Sequence, residues 1–538
     1  MKRNNILYKV GLAALGAVMF SSCDSYLDTM PDNRTEIDSE EKVSSLLTSA
    51  YLQNGSCILV NEIMSDNSDD MGSSYTQYSS RFLDQAYAWK DITESDNDAP
   101  QMIWEDAYRA IASANQALEA IDEMGGATTT TLKECKGEAL ISRAYHHFIL
   151  VNQFCKTYNP ATSAGDMGIT YMEKPETTVK PEYSRGTVAE VYEKIDRDIK
   201  AALPLIGDSH YKVSKYHFNS QAVYAFAARF YLFYQKWDQA VAYANKCLGS
   251  NAKAMLRDWD AMEALGVTND LTPRTNAYID ATANCNLLIS TSISAAGLFE
   301  SNYQMYTKYS HDKYLSDKEV VYAPNIWGGE HKNMLRCDGM AFQGSGMDRV
   351  LVAKLPAGQS SFWEVDPVAK TGYFMVTSVP LKADMTLLER AEAYIMLKQY
   401  DKACEDLTTW MQNWTTSRLT LTPDTITKFY QNMNYYTWDK PTLKKHLHPS
   451  FAIDAEGSVQ ESMLQCVLNF KRIESVHEGY RWWDVNRYGM VIYRRLMNAD
   501  GEPEKATDSL LVDDPRRAIQ LPVSVIQAGV TPNPRDEK

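Results

Sequence analysis

The chain has 538 residues, with 44% hydrophobic and 23% charged side chains, the balance of an ordinary globular protein with a large core. Its formal net charge is −15, and the first 22 residues carry three positive charges and no negative ones, which leaves −18 for the rest. A balance this acidic argues against nucleic acid or an anionic membrane surface as the main partner.

Lys2, Arg3 and Lys9 surround the start of an apolar run over residues 10–20, too short to cross a bilayer. Residues 1–22 read as a secretory signal. Phe20-Ser21-Ser22-Cys23 is similar to a bacterial lipobox, in which Cys23 becomes the lipidated first residue. No later segment is apolar for long enough to span, so the mature chain is expected to be anchored without crossing. The other cysteines (Cys57, Cys135, Cys155, Cys247, Cys285, Cys337, Cys404 and Cys466) are dispersed and form no C-x-x-C pair. That excludes zinc and thioredoxin-like readings and leaves disulfide pairing open.

Residues 40–52 predict a helix with Val43, Leu46, Leu47, Ala50 and Tyr51 on one side. Residues 61–78 then lose the period and gather Asp66, Asn67, Asp69, Asp70, Gly72, Tyr75 and Tyr78. This is loop chemistry without the ligand spacing of an EF-hand. Polar acceptors beside tyrosines suit a polyhydroxylated ligand, with a plain solvated acidic loop as the alternative. Trp89 sits in weakly periodic sequence and is expected to serve as a ligand platform. Trp104 lies on the packing face of a helix over 102–124.

A second helix covers 132–154. Its adjacent His146 and His147 point to different faces, and no H-E-x-x-H motif accompanies them, so they make no metal pair. Thr187 and Glu190 form a capping box that opens a helix through Ile195, Ile199 and Leu203.

An internal repeat follows. Residues 228–240 parallel 391–403: Tyr231 matches Tyr394, Trp237 matches Tyr400, and Ala240 matches Ala403. Small residues at the contacts and an aromatic after the turn are tetratricopeptide-like chemistry. The copies are far apart, so a large insertion, roughly 250–380, separates them. It is rich in Gly, Pro, Asn and Ser and carries Tyr303, Tyr306, Tyr309, Tyr314, Tyr322, Trp327, Trp363 and Tyr373. Its aromatic content predicts a folded, loop-rich region. Trp327, beside Gly328 and Gly329, is the expected exposed ring. His446 and His448, in an irregular stretch over 415–458, lack a third ligand for a metal.

The most distinctive stretch is 467–489. Phe470, Ile473, Val476, Tyr480 and Trp483 form an apolar stripe, while Glu478, Arg481, Asp484 and Arg487 alternate in sign at a spacing that pairs along a helix surface. An arginine near each of Glu474 and Glu478 is expected to keep it ionised, the opposite of what a general acid needs.

The order Arg-Ile-Glu, Glu-Gly-Tyr-Arg-Trp-Trp-Asp and Arg-Tyr-Gly in this stretch resembles the C-terminal signature of the SusD/RagB family. Supporting pieces are the lipobox followed by Leu27-Asp28 and Pro31, the Arg185-Gly-Thr-Val188 helix start, and an ending with Leu521-Pro522 and Asn533-Pro534, expected as a short strand, Pro, a turn of helix and Asn-Pro. Ser475 and His477 depart from the family's apolar residues. The resemblance implies a mainly α fold of interrupted tetratricopeptide-like repeats, an α-α superhelix with a loop-rich insertion and few short strands. It implies a signal peptide (1–22), an N-terminal SusD-like helical region (23–250) and a C-terminal region (251–538) that includes the insertion (251–380).

The implied function is that of a surface lipoprotein on the outer membrane, facing the exterior. It would bind an oligosaccharide and deliver it to a SusC-like TonB-dependent transporter, without a cofactor and without catalysis. A peptide ligand on the same fold is the first alternative, and a glycoside hydrolase the second. The expected ligand-binding residues are Asp66, Asn67, Asp69, Tyr75, Tyr78, Trp89, Tyr303, Tyr306 and Trp327, and the expected lipidation site is Cys23.

Overall fold

The computed structural model describes residues 37–72, 80–176, 183–266, 270, 272–299, 308–328, 334–336, 340–342, 349–356 and 362–535. Cys23 with the signal segment, Tyr75, Tyr78, Tyr303, Tyr306 and Cys337 lie outside the described residues. The other cysteines after the signal are free thiols.

Helices form where the apolar period runs longest. They are α1 (Glu40–Leu47), α2 (Ile58–Met64), α3 (Ser80–Tyr87), α4 (Pro100–Glu123), α5 (Thr130–Phe154) and α6 (Val188–Ala202). Helix α1 ends earlier than predicted, and α6 opens on the predicted capping box of Thr187 and Glu190. The repeat gives α7 (Ser220–Phe233) with α8 (Trp237–Leu248), and α9 (Ala383–Met396) with α10 (Tyr400–Trp414). Both α7 and α8 pack on α9, so copies distant in sequence are neighbours in space. Both turns use one device. The amide of Lys236 donates to the Tyr231 carbonyl, and that of Gln399 to the Tyr394 carbonyl, each at 2.8 Å. The residue before each, Gln235 (φ 60°) and Lys398 (φ 57°), takes the left-handed conformation that usually selects glycine. The fold is mainly helical with interrupted repeats, as the periodicity predicts.

The insertion is more regular than its composition predicts. Its strand β2 (Asn286–Ile293) pairs with β7 (Thr371–Lys382), which pairs with β6 (Phe362–Asp366), all antiparallel. A small hairpin joins β4 (Met340–Phe342) to β5 (Arg349–Leu351). A second sheet has the order β3-β1-β8-β9, with β1 (Asp69–Asp70), β3 (Tyr309–Ser310), β8 (Ile492–Met497) and β9 (Pro503–Leu510). It stitches the N-terminal loop, the insertion and the C-terminal hairpin into one unit. The hairpin β8–β9 was not expected, and the strand expected at 519–521 does not form. The turn of helix after Pro522 does.

Residues 467–489 do not make one helix. Beyond α11 (Pro423–Gln431), helix α12 (Val459–Ser475) stops and α13 (Arg481–Arg487) starts after a break. His477 (φ 68°) and Gly479 (φ 77°) turn the chain there, and a Cβ on Gly479 would lie 2.9 Å from the Ile58 Cα. Nor do the charges line a surface; nearly all are buried. Asp484 and Arg487 do pair, at 3.1 Å, but the other partners are remote. Glu474 and Glu478 are held by lysines, not arginines: Lys382 pairs with both, and Lys354 reaches Glu478. The indoles of Trp410 and Trp414, on repeat helix α10, donate to Glu474 at 2.9 and 2.8 Å. Glu392, on α9, accepts from Arg487 and Lys471, which hold its carboxyl down at about 2 against the opposing effect of burial.

A buried charge cluster fixes the N-terminal loop to this C-terminal unit. Asp66 takes a two-pronged pair from Arg481 (2.8 and 2.9 Å) and faces Lys445 and Arg472. Asp69 takes another from Arg495 (2.9 and 2.6 Å). Glu319 joins Arg495, Arg472 and Lys445 at 2.8, 3.1 and 3.2 Å. Burial alone would raise the Glu319 carboxyl, but Lys445, Arg495 and Arg472 bring it down to about 2.

Three outcomes follow. Gln235→Gly and Lys398→Gly should each raise the unfolding free energy measured by urea denaturation by about 0.5–1 kcal/mol, since glycine removes the left-handed penalty at some entropic cost. A loss of stability would contradict the turn account. Arg481→Ala strands a buried carboxylate and should cost roughly 3–5 kcal/mol, whereas Lys428→Ala, at the exposed pair with Asp424, should stay within about 0.5 kcal/mol. Equal effects would refute the bracing role. Because Glu319 titrates lower in the folded state than unfolded, its stabilisation is complete above the ordinary glutamate value and is lost as pH falls from there towards about 2. Glu319→Gln should therefore lie well below wild type in urea melts at neutral pH and converge with it in acid.

Candidate functional site

The structure brings part of the expected site together, but not as expected. Asp66, Asn67 and Asp69 are buried, not solvated. Their oxygens are taken by the arginines of α12, α13 and β8; Arg472 donates to the Asn67 side-chain oxygen at 2.9 Å. The Asn67 amide donates to Glu62, which also accepts the Gly479 amide. These residues position the loop and present no free acceptor edge.

Trp89 is 2% exposed. It follows α3 and occupies a left-handed position (φ 49°) with a helix-ending bond from the Lys90 amide to the Gln85 carbonyl. Its indole N–H donates to the Met64 carbonyl at 2.8 Å, and the Arg494 guanidinium lies 3.8 Å from its ring centroid. These contacts offset the backbone strain and leave no open face for a sugar. Arg494 in turn donates to the carbonyls of Ile63, Met64 and Ser65, capping the end of α2. Trp327 is also buried, 5.6 Å from the Phe470 ring, because α12 covers it.

What Trp89 does line is a cleft of about 610 Å³. Tyr87 and Tyr309 stack at 4.3 Å beneath it. Asp70, Lys90, Asp91, Asp508, Arg516 and Arg535 supply charged groups around it. Asp70 is half-buried, and burial raises its carboxyl above the ordinary range. Arg516 pairs with Asp508 at 2.6 Å and with Asp514 at 2.7 Å, and Arg535 pairs with Asp91 at 2.9 Å. Only Asp70, Trp89 and Tyr309 of this set stood out in the sequence, because the cleft is assembled from segments hundreds of residues apart.

The two most exposed of the large aromatic rings among the described residues are elsewhere. Trp363 on β6 and Tyr373 on β7 are 55% and 47% exposed and sit directly opposite each other in register. Opposed side chains in antiparallel strands lie side by side on one face. Neither ring contacts another ring among the described residues. Val365 and Val368 continue the exposed apolar edge. The tip is fixed by Asp366, whose carboxylate accepts from the amides of Val368 and Ala369. The alternation of residues 362–366, followed by a turn and a second run from Thr371, is the sequence signal for this hairpin.

Among the described residues, no helix is long and apolar enough to cross a membrane, and no group of His, Cys, Asp and Glu could hold a metal.

Residues 25–232 match the family model SusD-like_3, described as starch-binding and associating with the outer membrane. Solved structures match over nearly the whole chain. A SusD superfamily protein from Bacteroides thetaiotaomicron aligns with TM-score 0.63 and 19% identity, covering 92% of this chain and all of its own. A putative sugar-binding protein from Bacteroides vulgatus gives TM-score 0.64 and 17% identity, over 93% of this chain and 99% of its own. A SusD-like carbohydrate-binding protein from the same species gives 0.60 and 16%, over 91% and 96%. Curated protein sequences give no match. At such identities the structural likeness establishes fold, while the family model speaks for the sequence of the N-terminal part. Residues 25–232 are thus similar in sequence to the SusD-like family, and the chain shares the fold of SusD superfamily proteins over nine-tenths of its length.

Proposed function

We propose that this protein captures an oligosaccharide at the cell surface and passes it to a SusC-like TonB-dependent transporter, held to the outer membrane by a lipid on Cys23. The observation that carries the reading is the Trp363–Tyr373 pair, set on a fold shared with sugar-binding proteins. Two adjacent open rings can cover the C–H faces of neighbouring sugar units, burying apolar surface without a pocket. The charged groups around the Trp89 cleft are a separate set able to bond hydroxyls. Binding of this kind breaks no bond. The two carboxylates expected in the site, Asp66 and Asp69, are locked to arginines and face no open space.

A peptide ligand has one observation in its favour. Strand β6 lies at the edge of its sheet, where an extended chain could add a strand.

Affinity electrophoresis against a panel of soluble plant and host glycans, with peptides in parallel, separates the readings. Trp363→Ala and Tyr373→Ala should each weaken retention by a bound glycan at least tenfold, about 1.4 kcal/mol, with unchanged melting. Trp89→Ala should instead lower the melting temperature. Retention by peptides alone would favour the second reading, and release of reducing ends would refute binding without cleavage.

A further inference from the structure

A separate cavity of about 90 Å³ lies between the β2–β7 sheet, α2, α5 and the break before α13. Its two sides differ in chemistry. On the sheet side stand Ser290, Ser292 and Ser378. Ser290 and Ser378 are registered partners, and Ser292 follows Ser290 by two, so all three hydroxyls share one face. None of the three hydroxyls has a hydrogen-bond partner among the described residues. The opposite side is aromatic and apolar: Tyr145, Tyr480 and Trp483 with Ile58 and Ile149.

One more donor is left over, and the network around it shows why. The Trp483 indole can only donate, and it donates to the Gln153 side-chain oxygen at 3.2 Å. That orients Gln153, whose amide donates to the Asn61 oxygen at 2.6 Å. Asn61 is thereby oriented too, and its own NH₂ group, in a residue 1% exposed that lines the cavity, has no partner. The Tyr145 hydroxyl likewise has none among the described residues. His146 adds an acceptor: its Nδ1 lies 2.7 Å from the Ser142 carbonyl, so it must donate there, which leaves Nε2 without a proton in the neutral ring.

Unpartnered hydrogen-bonding groups on both walls, with the rings of Tyr145, Tyr480 and Trp483 among them, fit a molecule that carries several hydroxyls on a C–H frame. The volume exceeds what one water needs and leaves room for a molecule of several heavy atoms. We infer that this cavity is a binding site for a small polyol, with Ser290, Ser292, Ser378 and the Asn61 amide reading its hydroxyls. The site does not share residues with the Trp363 hairpin or the Trp89 cleft, and it stands whether or not those bind glycans.

Saturation-transfer NMR on the intact protein tests this, with glycerol as probe and isobutanol as the analogue that lacks two hydroxyls. Glycerol should receive transfer and isobutanol much less. Ser290→Leu fills the cavity from a half-buried strand position and should abolish the glycerol signal with melting unchanged; Trp363→Ala should leave it intact. If Ser290→Leu does not fold, Ser290→Ala adds no volume and should weaken glycerol about tenfold, while Ser290→Thr should retain it. No transfer to glycerol in the wild type, or transfer that survives both Ser290→Leu and Ser290→Ala, would overturn the assignment.

Discussion

The rest of the structure depends on the buried pairing of Asp66, Asp69 and Glu319 with Arg472, Arg481, Arg495 and Lys445. Taking so many charges out of water is costly, and apolar residues of the same size could stabilise a core as well. What the cluster adds is an address. A carboxylate left without its guanidinium is far worse than one in water, so the loop after α2 has one acceptable position against α12, α13 and β8. The adjacent Glu62, through Asn67 and the Gly479 amide, extends the same logic to the break between α12 and α13. A second set, Glu392 and Glu474 with Arg487, Lys471 and Lys382, ties that unit to the repeat helices. Helices that would otherwise slide along apolar stripes are thereby fixed in register.

This explains what was legible beforehand and what was not. The repeat was readable because every signal for it is local: the period, the small residues and the aromatic after each turn. The capping box at Thr187 was readable for the same reason. The loop at Asp66 was misread because an acidic, turn-rich stretch looks alike whether water or arginine answers it, and the answering arginines lie more than four hundred positions away. Residues 467–489 were misread as a surface-charged helix because spacing reports which residues share a face, not what covers that face. Gly479 inside the pattern was the one local warning.

The candidate site divides in the same way. Trp89 and Trp327 stood out by composition, next to irregular or glycine-rich sequence, and both turned out to be packed. Trp363 and Tyr373 stood out less, yet their openness follows from topology. They lie on the edge strand β6 and the adjoining end of β7 in a sheet whose order is β2-β7-β6, on either side of an exposed turn. A tryptophan in a helical stripe is covered by the next helix, and one near a left-handed turn needs contacts to offset its backbone. A ring on a projecting hairpin has neither obligation. Position relative to the scaffold, more than residue type, separates rings that hold the fold from rings available to a ligand.

That separation has a consequence for how such a scaffold can serve different ligands. The interior charges couple loop, insertion and C-terminal hairpin, so a change at Asp66 or Arg481 is felt across the molecule. The hairpin carrying Trp363 touches the interior mainly through β7, whose far end runs into α9. Substitutions on its exposed face alter no buried pair and leave the register of β7 against β2 in place. Recognition can therefore change at the hairpin while the interior stays constrained. A fold held by a few exacting buried charges, with its contact surface carried on a strand pair outside them, can vary what it binds without reopening how it folds.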